Sequence, residues 1–250
     1  MISSPWFFVP RPLPNPRLRL LMLPHAGGSP PAFRGWDRRV PAGVELWLAH
    51  PPGRGARLRE PVLARSELLV DSLMGALRPN LGTPLVLMGH SFGARFALAL
   101  AHRLRALGQP PRALIVSGRR GPRVPSREPD LHPLPQAAFL RELERRYGAL
   151  DEALRHSELA EMLFPALQAD LRASETWPAE AGPPLDLPLH VRGGRDDATV
   201  AEADLQAWRA ESTGLCSVEL LPGGHFYLLQ DPAPFFASLE PAFASLLATA

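Results

Sequence analysis

A serine between two glycines is the strongest chemical signal in this sequence. It lies in the run GHSFG at residues 89–93, after the apolar stretch Pro84–Met88 and before the helical pattern Phe92–Leu107. A tight turn from a buried strand into a buried helix requires small residues two positions before and after the serine, because larger side chains would collide. Such a turn exposes the hydroxyl at a helix N-terminus, where free N–H groups and the helix dipole favour developing negative charge. Ser91 is therefore the predicted nucleophile.

A serine nucleophile needs a base near neutral pH, and the best candidate is His225. It lies in the run GGHF at residues 223–226, directly after the last strand candidate, Val218–Leu221. A glycine turn at this position can lift the imidazole over the edge of a sheet. The other seven histidines are weaker candidates, since structural roles are the default inside helices, strands and packed loops. His225 is therefore the predicted base.

The base must in turn be oriented by a carboxylate that also stabilises the imidazolium ion. The run GGRDDATV at residues 193–200 follows the strand candidate Leu189–Arg192 and offers two neighbouring aspartates. The resulting chain order of serine, acid and histidine is the one expected for α/β-hydrolases. Asp197 is preferred because its spacing from the glycines suits the usual turn, and Asp196 then becomes a loop or N-cap carboxylate. Both aspartates remain open at this point.

An oxyanion hole is predicted from the loop after the first long strand candidate, Leu18–Leu23. This loop has the sequence PHAGG at residues 24–28. Glycines there let the backbone approach a substrate oxygen closely. Enzymes with this serine turn place one backbone donor in such a loop and the other directly after the serine. The predicted donors are the amides of Ala26 and Phe92.

The rest of the chain alternates between short apolar runs and longer helical patterns. This alternation predicts a mostly parallel sheet with helices on both faces, and with the serine turn it predicts the α/β-hydrolase fold. The predicted strands are Leu18–Leu23, Val44–Ala49, Leu85–Met88, Ala113–Ser117, Leu189–Arg192 and Val218–Leu221. The predicted helices are Ser66–Arg78, Phe92–Leu107, Ala201–Glu211 and Pro234–Ala248.

One region, residues 121–184, interrupts this alternation. It contains no strand candidate, but Pro135–Arg146 and Glu158–Ser174 have helical spacing of apolar residues. A helical insertion in a parallel sheet commonly covers the binding site at the carboxyl ends of the strands. The region is therefore predicted to be a helical lid, with an additional packing layer as the alternative.

Composition limits the classes of function and partner. The chain has 250 residues and a formal net charge of +2, with arginines interspersed among acidic residues. A nucleic-acid-binding arm would appear as a block of one sign, so nucleic acid is not an expected partner. The length is compatible with one α/β domain spanning residues 1–250, and a monomer is the default expectation.

Other features bear on compartment and cofactors. Cys216 is the only cysteine, so an intrachain disulfide is impossible. The N-terminal apolar run Pro5–Val9 is too short for a signal peptide, and no run approaches membrane-spanning length, so a cytoplasmic protein is expected. No Cys/His set has metal-ligand spacing, and no nucleotide-binding glycine motif follows a strand, so no cofactor is expected.

Several longer runs resemble one family, the type II, stand-alone thioesterases that accompany polyketide synthases and nonribosomal peptide synthetases. The resemblance covers nearly the whole chain. Its motifs are LPHAGG at residues 23–28, PGRGARLREP at 52–61, GHSFGA at 89–94, SGR at 117–119, LFPALQAD at 163–170, ETW at 175–177 and GHF at 224–226. The PGR run and the run at 163–170 are much more specific than the serine turn.

The resemblance implies hydrolysis of acyl groups from the phosphopantetheine thiol of acyl or peptidyl carrier proteins, an editing role in polyketide or nonribosomal peptide synthesis. Within the PGR run, Arg54 and Arg57 are interpreted as solvated surface arginines, with contact to phosphate or to an acidic carrier surface as the alternative. Three alternatives share the fold: an oxygen-ester esterase or lipase, an acyltransferase, and a non-catalytic scaffold that binds carrier proteins.

Overall fold

A seven-stranded sheet forms the centre of the part of the chain that the structure describes. The computed structural model describes residues 4–148, 157–178 and 182–249. The strand order is β1-β3-β2-β4-β5-β6-β7, and all neighbouring pairs are parallel except β1 and β3. The strands are β1 Phe7–Phe8, β2 Leu18–Leu23, β3 Val44–Ala49, β4 Leu85–His90, β5 Ala113–Ser117, β6 Leu189–Gly194 and β7 Cys216–Leu221.

Helices cover both faces of this sheet because the central strands are apolar on both sides. Along β2, Leu21 and Leu23 belong to one buried cluster, which includes Phe96, whereas Leu20 and Met22 belong to a second cluster on the other face. Among the described residues, none of the helices combines the length and apolar character needed to cross a bilayer. The helices are α1 Ser66–Leu77, α2 Phe92–Ala106, α3 Gln136–Tyr147, α4 Ser157–Glu175, α5 Glu202–Gln206, α6 Tyr227–Gln230 and α7 Pro232–Ala248.

All six predicted strands are confirmed, with small differences at their ends. β4 continues to His90 and β6 continues to Gly194, so both strands reach further towards the predicted site than their apolar runs suggest. β1 is a two-residue antiparallel strand, which is too short to give a periodic signal. The predicted helix 201–211 ends as α5 at Gln206 and continues as a 3-10 helix over Ala207–Glu211.

Between β5 and β6, the described residues form the two predicted helices, α3 and α4, and no strand. We call these two helices the helical cover. They share a small apolar cluster of their own, with Phe139 of α3 buried against Leu167 and Leu171 of α4. Residues 149–156 and 179–181 of the predicted insertion lie outside the described residues.

Candidate active site

The predicted serine turn has a backbone conformation that few residues adopt. Ser91 has a φ of 54° and a ψ of −113°, and it is the only non-glycine residue with positive φ in the described part of the chain. A Cβ atom on Gly89 would lie 2.0 Å from the carbonyl oxygen of Gly93, and one on Gly93 would lie 2.1 Å from that of Leu23. Both glycines are therefore required by close approach of the backbone, as the motif predicts.

The structure brings the three predicted side chains together above the carboxyl ends of β4, β6 and β7. The Nε2 atom of His225 is 3.0 Å from the Ser91 hydroxyl oxygen. The Nδ1 atom is 2.7 Å from a carboxylate oxygen of Asp197. With the proton on Nδ1 donated to the carboxylate, Nε2 is an acceptor for the serine hydroxyl, which is the tautomer that a general base requires.

Asp197, and not Asp196, is the carboxylate that contacts His225. Its second oxygen accepts hydrogen bonds from the backbone N–H of Thr199 at 2.8 Å and from the hydroxyl of Thr199 at 2.7 Å. Burial alone would raise the pKa of Asp197, but the hydrogen bond and charge of His225, with the Thr199 hydrogen bonds, outweigh burial and lower it. Asp196 is exposed, and its backbone N–H donates to the carbonyl oxygen of Gly223.

The loops after β6 and β7 can approach each other this closely because glycines lie where the two backbones come into contact. A Cβ atom on Gly194 would lie 2.2 Å from the carbonyl oxygen of Gly224. The close approach brings the aspartate loop and the histidine loop within hydrogen-bonding distance of each other, although 28 positions separate their two functional residues.

The two predicted oxyanion donors, Ala26 and Phe92, line the same cavity as Ser91. Phe92 is the first residue of α2, where a backbone N–H has no partner within the helix. Gly27, next to Ala26, has a φ of 73°, and its N–H donates to Asp170 of α4 at 2.8 Å. The loop that carries the first predicted donor is thus held by the helical cover.

This contact belongs to a buried ion pair that the sequence interpretation missed. Arg54 is 2% exposed and binds both carboxylate oxygens of Asp170, one of them at 2.8 Å. Arg57 is also buried and donates to Glu60 and to the carbonyl oxygen of His50. The interpretation of Arg54 and Arg57 as solvated surface residues was therefore wrong. The available signal was Asp170 itself, a charge within the apolar pattern of α4.

His90, the residue before Ser91, is fully buried and has a structural role beneath the site. Its Nδ1 atom is 3.1 Å from the Ser117 hydroxyl, which is 2.8 Å from the Tyr227 hydroxyl. Burial, followed by the charges of His225 and His25, holds the pKa of His90 well below its ordinary value. His90 is therefore a neutral, packed imidazole beneath the base.

A cavity of about 250 Å³ opens above Ser91 and His225. The helical cover supplies most of its apolar wall, through Leu143 of α3 and the α4 residues Leu163, Leu167 and Leu171. The ring of Tyr147, at the end of α3, lies 4.7 Å from the ring of His225 between centroids. An extended acyl chain is the kind of ligand that such a wall can bury.

Among the described residues, one group has spacing that could hold a metal ion, namely Asp130, His132 and Glu175. Glu175 already accepts hydrogen bonds from the N–H groups of Leu131 and His132 and from the His132 ring. Through these hydrogen bonds, Glu175 connects α4 to the segment before α3.

The sheet order, the strained serine after β4 and the loops that meet above the strand ends define the α/β-hydrolase class. The comparisons with known proteins give the family. The thioesterase domain family matches residues 18–241. The chain therefore belongs to the thioesterase family.

Individual relatives match most of this chain. Thioesterase PikA5 of Streptomyces venezuelae is 35% identical over 90% of this chain and 81% of its own length. Gramicidin S biosynthesis protein GrsT of Aneurinibacillus migulanus is 32% identical over 86% of this chain and 84% of its own. The solved structure of the type II thioesterase BorB, from the borrelidin biosynthetic cluster, has 30% identity and a TM-score of 0.85, covering 98% of this chain and 97% of that one. The predicted resemblance to type II thioesterases is confirmed.

Proposed function

We propose that Ser91, His225 and Asp197 form the catalytic triad of a thioesterase that removes acyl groups from the phosphopantetheine thiol of acyl or peptidyl carrier proteins. The continuous hydrogen-bond chain from Asp197 through His225 to the Ser91 hydroxyl carries this proposal. The matches to PikA5, to GrsT and to the type II thioesterase BorB support the choice of a carrier-bound thioester in an editing role.

In acylation, the triad transfers the acyl group from the pantetheine sulfur to Ser91. The Ser91 hydroxyl oxygen attacks the thioester carbonyl while the Nε2 atom of His225 takes its proton. The amides of Ala26 and Phe92 donate to the oxygen that becomes negative. The C–S bond then breaks, and the pantetheine sulfur leaves as a thiol with the proton from His225.

Deacylation repeats these reaction steps with water as the nucleophile. His225 takes a proton from water, which attacks the acyl carbon bound to Ser91. The ester C–O bond breaks, Ser91 regains its proton from His225, and a free carboxylic acid leaves. Asp197 stabilises the imidazolium ion in both halves.

In this proposal the chain is a single domain, and its insertion at residues 121–184, of which the helical cover is part, acts as a lid. Its leucines exclude water from the acyl chain, and its connection to the oxyanion loop through Asp170 and Gly27 joins substrate cover to catalytic centre. A monomeric state and a cytoplasmic location remain predictions of the sequence.

The proposal is tested by comparing hydrolysis of an acyl-pantetheinyl carrier protein with that of an oxygen ester bearing the same acyl group. Faster release of free acid from the carrier thioester, with no acceptor added, is expected. A preference for the oxygen ester would favour the esterase, and a requirement for an added amine or alcohol would favour the acyltransferase.

A serine variant separates the enzyme from a binding scaffold. Ser91→Ala is expected to lower kcat by about 10⁶-fold while keeping carrier binding, because the remaining triad residues have no nucleophile to activate. Carrier turnover that is unchanged in this variant would reject Ser91 as the nucleophile. Carrier binding without turnover in the unaltered chain would support the scaffold.

A further inference from the structure

Two side chains that line the same cavity each have a buried polar atom without a hydrogen-bond partner in the described residues. The Nε atom of Arg119, in the loop after β5, is buried and has no hydrogen-bond acceptor in the described residues. The hydroxyl of Ser174, on α4, is likewise buried and unpartnered, and Ser174 is 1% exposed. The great majority of buried polar groups in proteins are paired, so two unpaired atoms on side chains that line one cavity point to a ligand that binds these side chains.

Arg119 is held firmly in place by its backbone. Its carbonyl oxygen accepts a hydrogen bond of 2.7 Å from the indole N–H of Trp208, and the N–H of the preceding residue, Gly118, donates to Arg192 at 3.0 Å. A Cβ atom on Gly118 would lie 3.6 Å from the Cε1 atom of His225. Arg119 therefore follows directly on a residue next to His225, and it lines the same cavity as Ser91 and His225.

The guanidinium of Arg119 has no ion-pair partner in the described ranges. One terminal nitrogen donates a hydrogen bond of 3.5 Å to the carbonyl oxygen of Ser174. Burial, followed by the charges of Arg120 and Arg95, lowers the pKa of Arg119 to about 9 against the smaller opposing effects of Tyr147 and Glu175, so the group stays cationic at neutral pH. A half-buried cation without an ion-pair partner is stabilised by an acceptor that binds to it.

We propose that Arg119 and Ser174 form a polar subsite in the acyl cavity, which selects acyl chains that carry an oxygen acceptor a few bonds from the thioester. A carboxylate satisfies both the charge and the hydrogen-bonding capacity of the subsite, and a keto oxygen satisfies the hydrogen-bonding capacity alone. The remaining wall is leucine-rich, so an acyl chain with its oxygen elsewhere leaves that oxygen unpaired against apolar groups. This inference rests on the proposed thioesterase function.

The experiment uses three acyl groups of almost the same shape on one carrier protein: 3-methylbutanoyl, 3-oxobutanoyl and malonyl. A second pair, 5-methylhexanoyl and 5-oxohexanoyl, places the oxygen further from the thioester. The value of kcat/KM for each is measured with the unaltered chain, with Arg119→Met and with Ser174→Ala. Arg120→Met is the matched control, since Arg120 is the next residue and does not line the cavity.

In the Arg119→Met variant, kcat/KM for at least one oxygenated substrate is expected to fall about 10-fold or more relative to its methyl-branched match, as expected for a lost hydrogen bond to a charged group. A loss confined to malonyl identifies a carboxylate as the ligand, and a loss shared with a keto substrate identifies a neutral oxygen. Arg120→Met is expected to leave these ratios unchanged. Ser174→Ala removes a single oxygen atom and keeps the test available if the arginine variant does not fold.

An equal fall in kcat/KM for all substrates in Arg119→Met would overturn the subsite. It would mean that Arg119 interacts with the pantetheine arm, which all the substrates share. Unchanged ratios in both variants would overturn it as well, while leaving the thioesterase function intact. Failure of the unaltered chain to hydrolyse any of the five thioesters would instead reject the proposed function itself.

Discussion

Two aspartates with buried side chains each hold a residue that lines the cavity, and their partners differ in kind. On the sheet edge, Asp197 binds His225, whose proton is expected to move during the reaction. On the helical cover, Asp170 binds Arg54 and the backbone N–H of Gly27. Their side chains are 1% and 0% exposed, so burial does not separate them. In the proposed mechanism the partner decides the role. His225 as the base makes Asp197 part of the chemistry, whereas the fixed charge of Arg54 makes Asp170 part of the scaffold.

The sharpest test of this difference is Asp197→Asn, which should affect activity far more than folding. Removing the charge favours the wrong imidazole tautomer and leaves the imidazolium ion without its counter-charge, so kcat should fall about 10⁴-fold. Rates of thioester hydrolysis and the thermal unfolding midpoint provide the measurements. Asp196→Asn is the matched control, because Asp196 is exposed and is expected to keep activity within about 2-fold. The reverse ranking of the two variants would exchange their assignments.

Asp170→Asn should show the opposite balance, with a large loss of stability. The variant leaves Arg54 buried without a counter-charge, which should lower the free energy of unfolding by about 3 kcal/mol. A weaker hold on Gly27 should also lower kcat about 10-fold, since the neighbouring Ala26 amide is a proposed oxyanion donor. Denaturant unfolding and steady-state rates measure the two effects separately.

The control for this variant is an ion pair at the surface. Arg103 and Asp71 are 2.9 Å apart, but their side chains are 55% and 60% exposed. Asp71→Asn should therefore change the free energy of unfolding by less than about 1 kcal/mol. If Asp170→Asn were as mild as Asp71→Asn, the pair with Arg54 would not be an anchor of the helical cover.

The same two aspartates show what a sequence can and cannot reveal. Asp197 was predictable because its signals are local, namely a strand followed by glycines and a turn in the expected chain order. Arg54 and Asp170 are 116 positions apart, and no local sequence pattern around either residue identifies the other as its partner. Asp170 is a charged residue within the apolar pattern of α4, a signal that the sequence interpretation did not use. Only the packing of α4 against the PGR run and the loop at residues 24–28 reveals the partners of Asp170.

The fold shows the same difference between features with local sequence signals and features that depend on long-range contacts. The central parallel strands are continuous apolar runs ended by glycine, proline or histidine, so their positions were evident within a few residues. β1, at Phe7–Phe8, depends on pairing with β3 and has no periodicity of its own. The extension of β6 to Gly194 likewise depends on pairing with β7, because glycines seldom indicate a strand.

Gly93→Ala tests how tightly the sheet edge holds the predicted oxyanion loop at residues 24–28. A Cβ atom at residue 93 would lie 2.1 Å from the carbonyl oxygen of Leu23 and 2.7 Å from that of Pro24. The backbone must shift, which should lower the free energy of unfolding by about 2 kcal/mol. Gly75→Ala is the matched control in α1, where nothing lies within 4 Å, and it should stabilise by about 0.5–1 kcal/mol. Destabilisation by both substitutions in equal measure would show that the crowding around Gly93 is readily relieved.

The smallest expected effect concerns acid pH, and it arises in the sheet rather than in the ion pair of the cover. His190 on β6 is 6% exposed, and its Nδ1 atom is 2.9 Å from the Ser217 hydroxyl oxygen. Burial, followed by the charge of Arg192, lowers the pKa of His190 to about 4. The unfolded chain therefore binds a proton near pH 6.5 that the folded chain does not bind until about pH 4. The stability contributed by the neutral imidazole is present above pH 6.5 and is lost as the pH falls towards 4.

This shift predicts that the free energy of unfolding decreases by about 1 kcal/mol between pH 6.5 and 5.5 through His190 alone. Denaturant unfolding at a series of pH values should show a shallower decrease in His190→Asn than in the unaltered chain, because asparagine does not titrate in this range. His132→Asn is the comparison on the cover side, where the Nδ1 atom lies 2.7 Å from a carboxylate oxygen of Glu175. If His190→Asn kept the full slope, the acid sensitivity of the sheet would have to come from its other buried histidines, of which His90 is the most deeply buried.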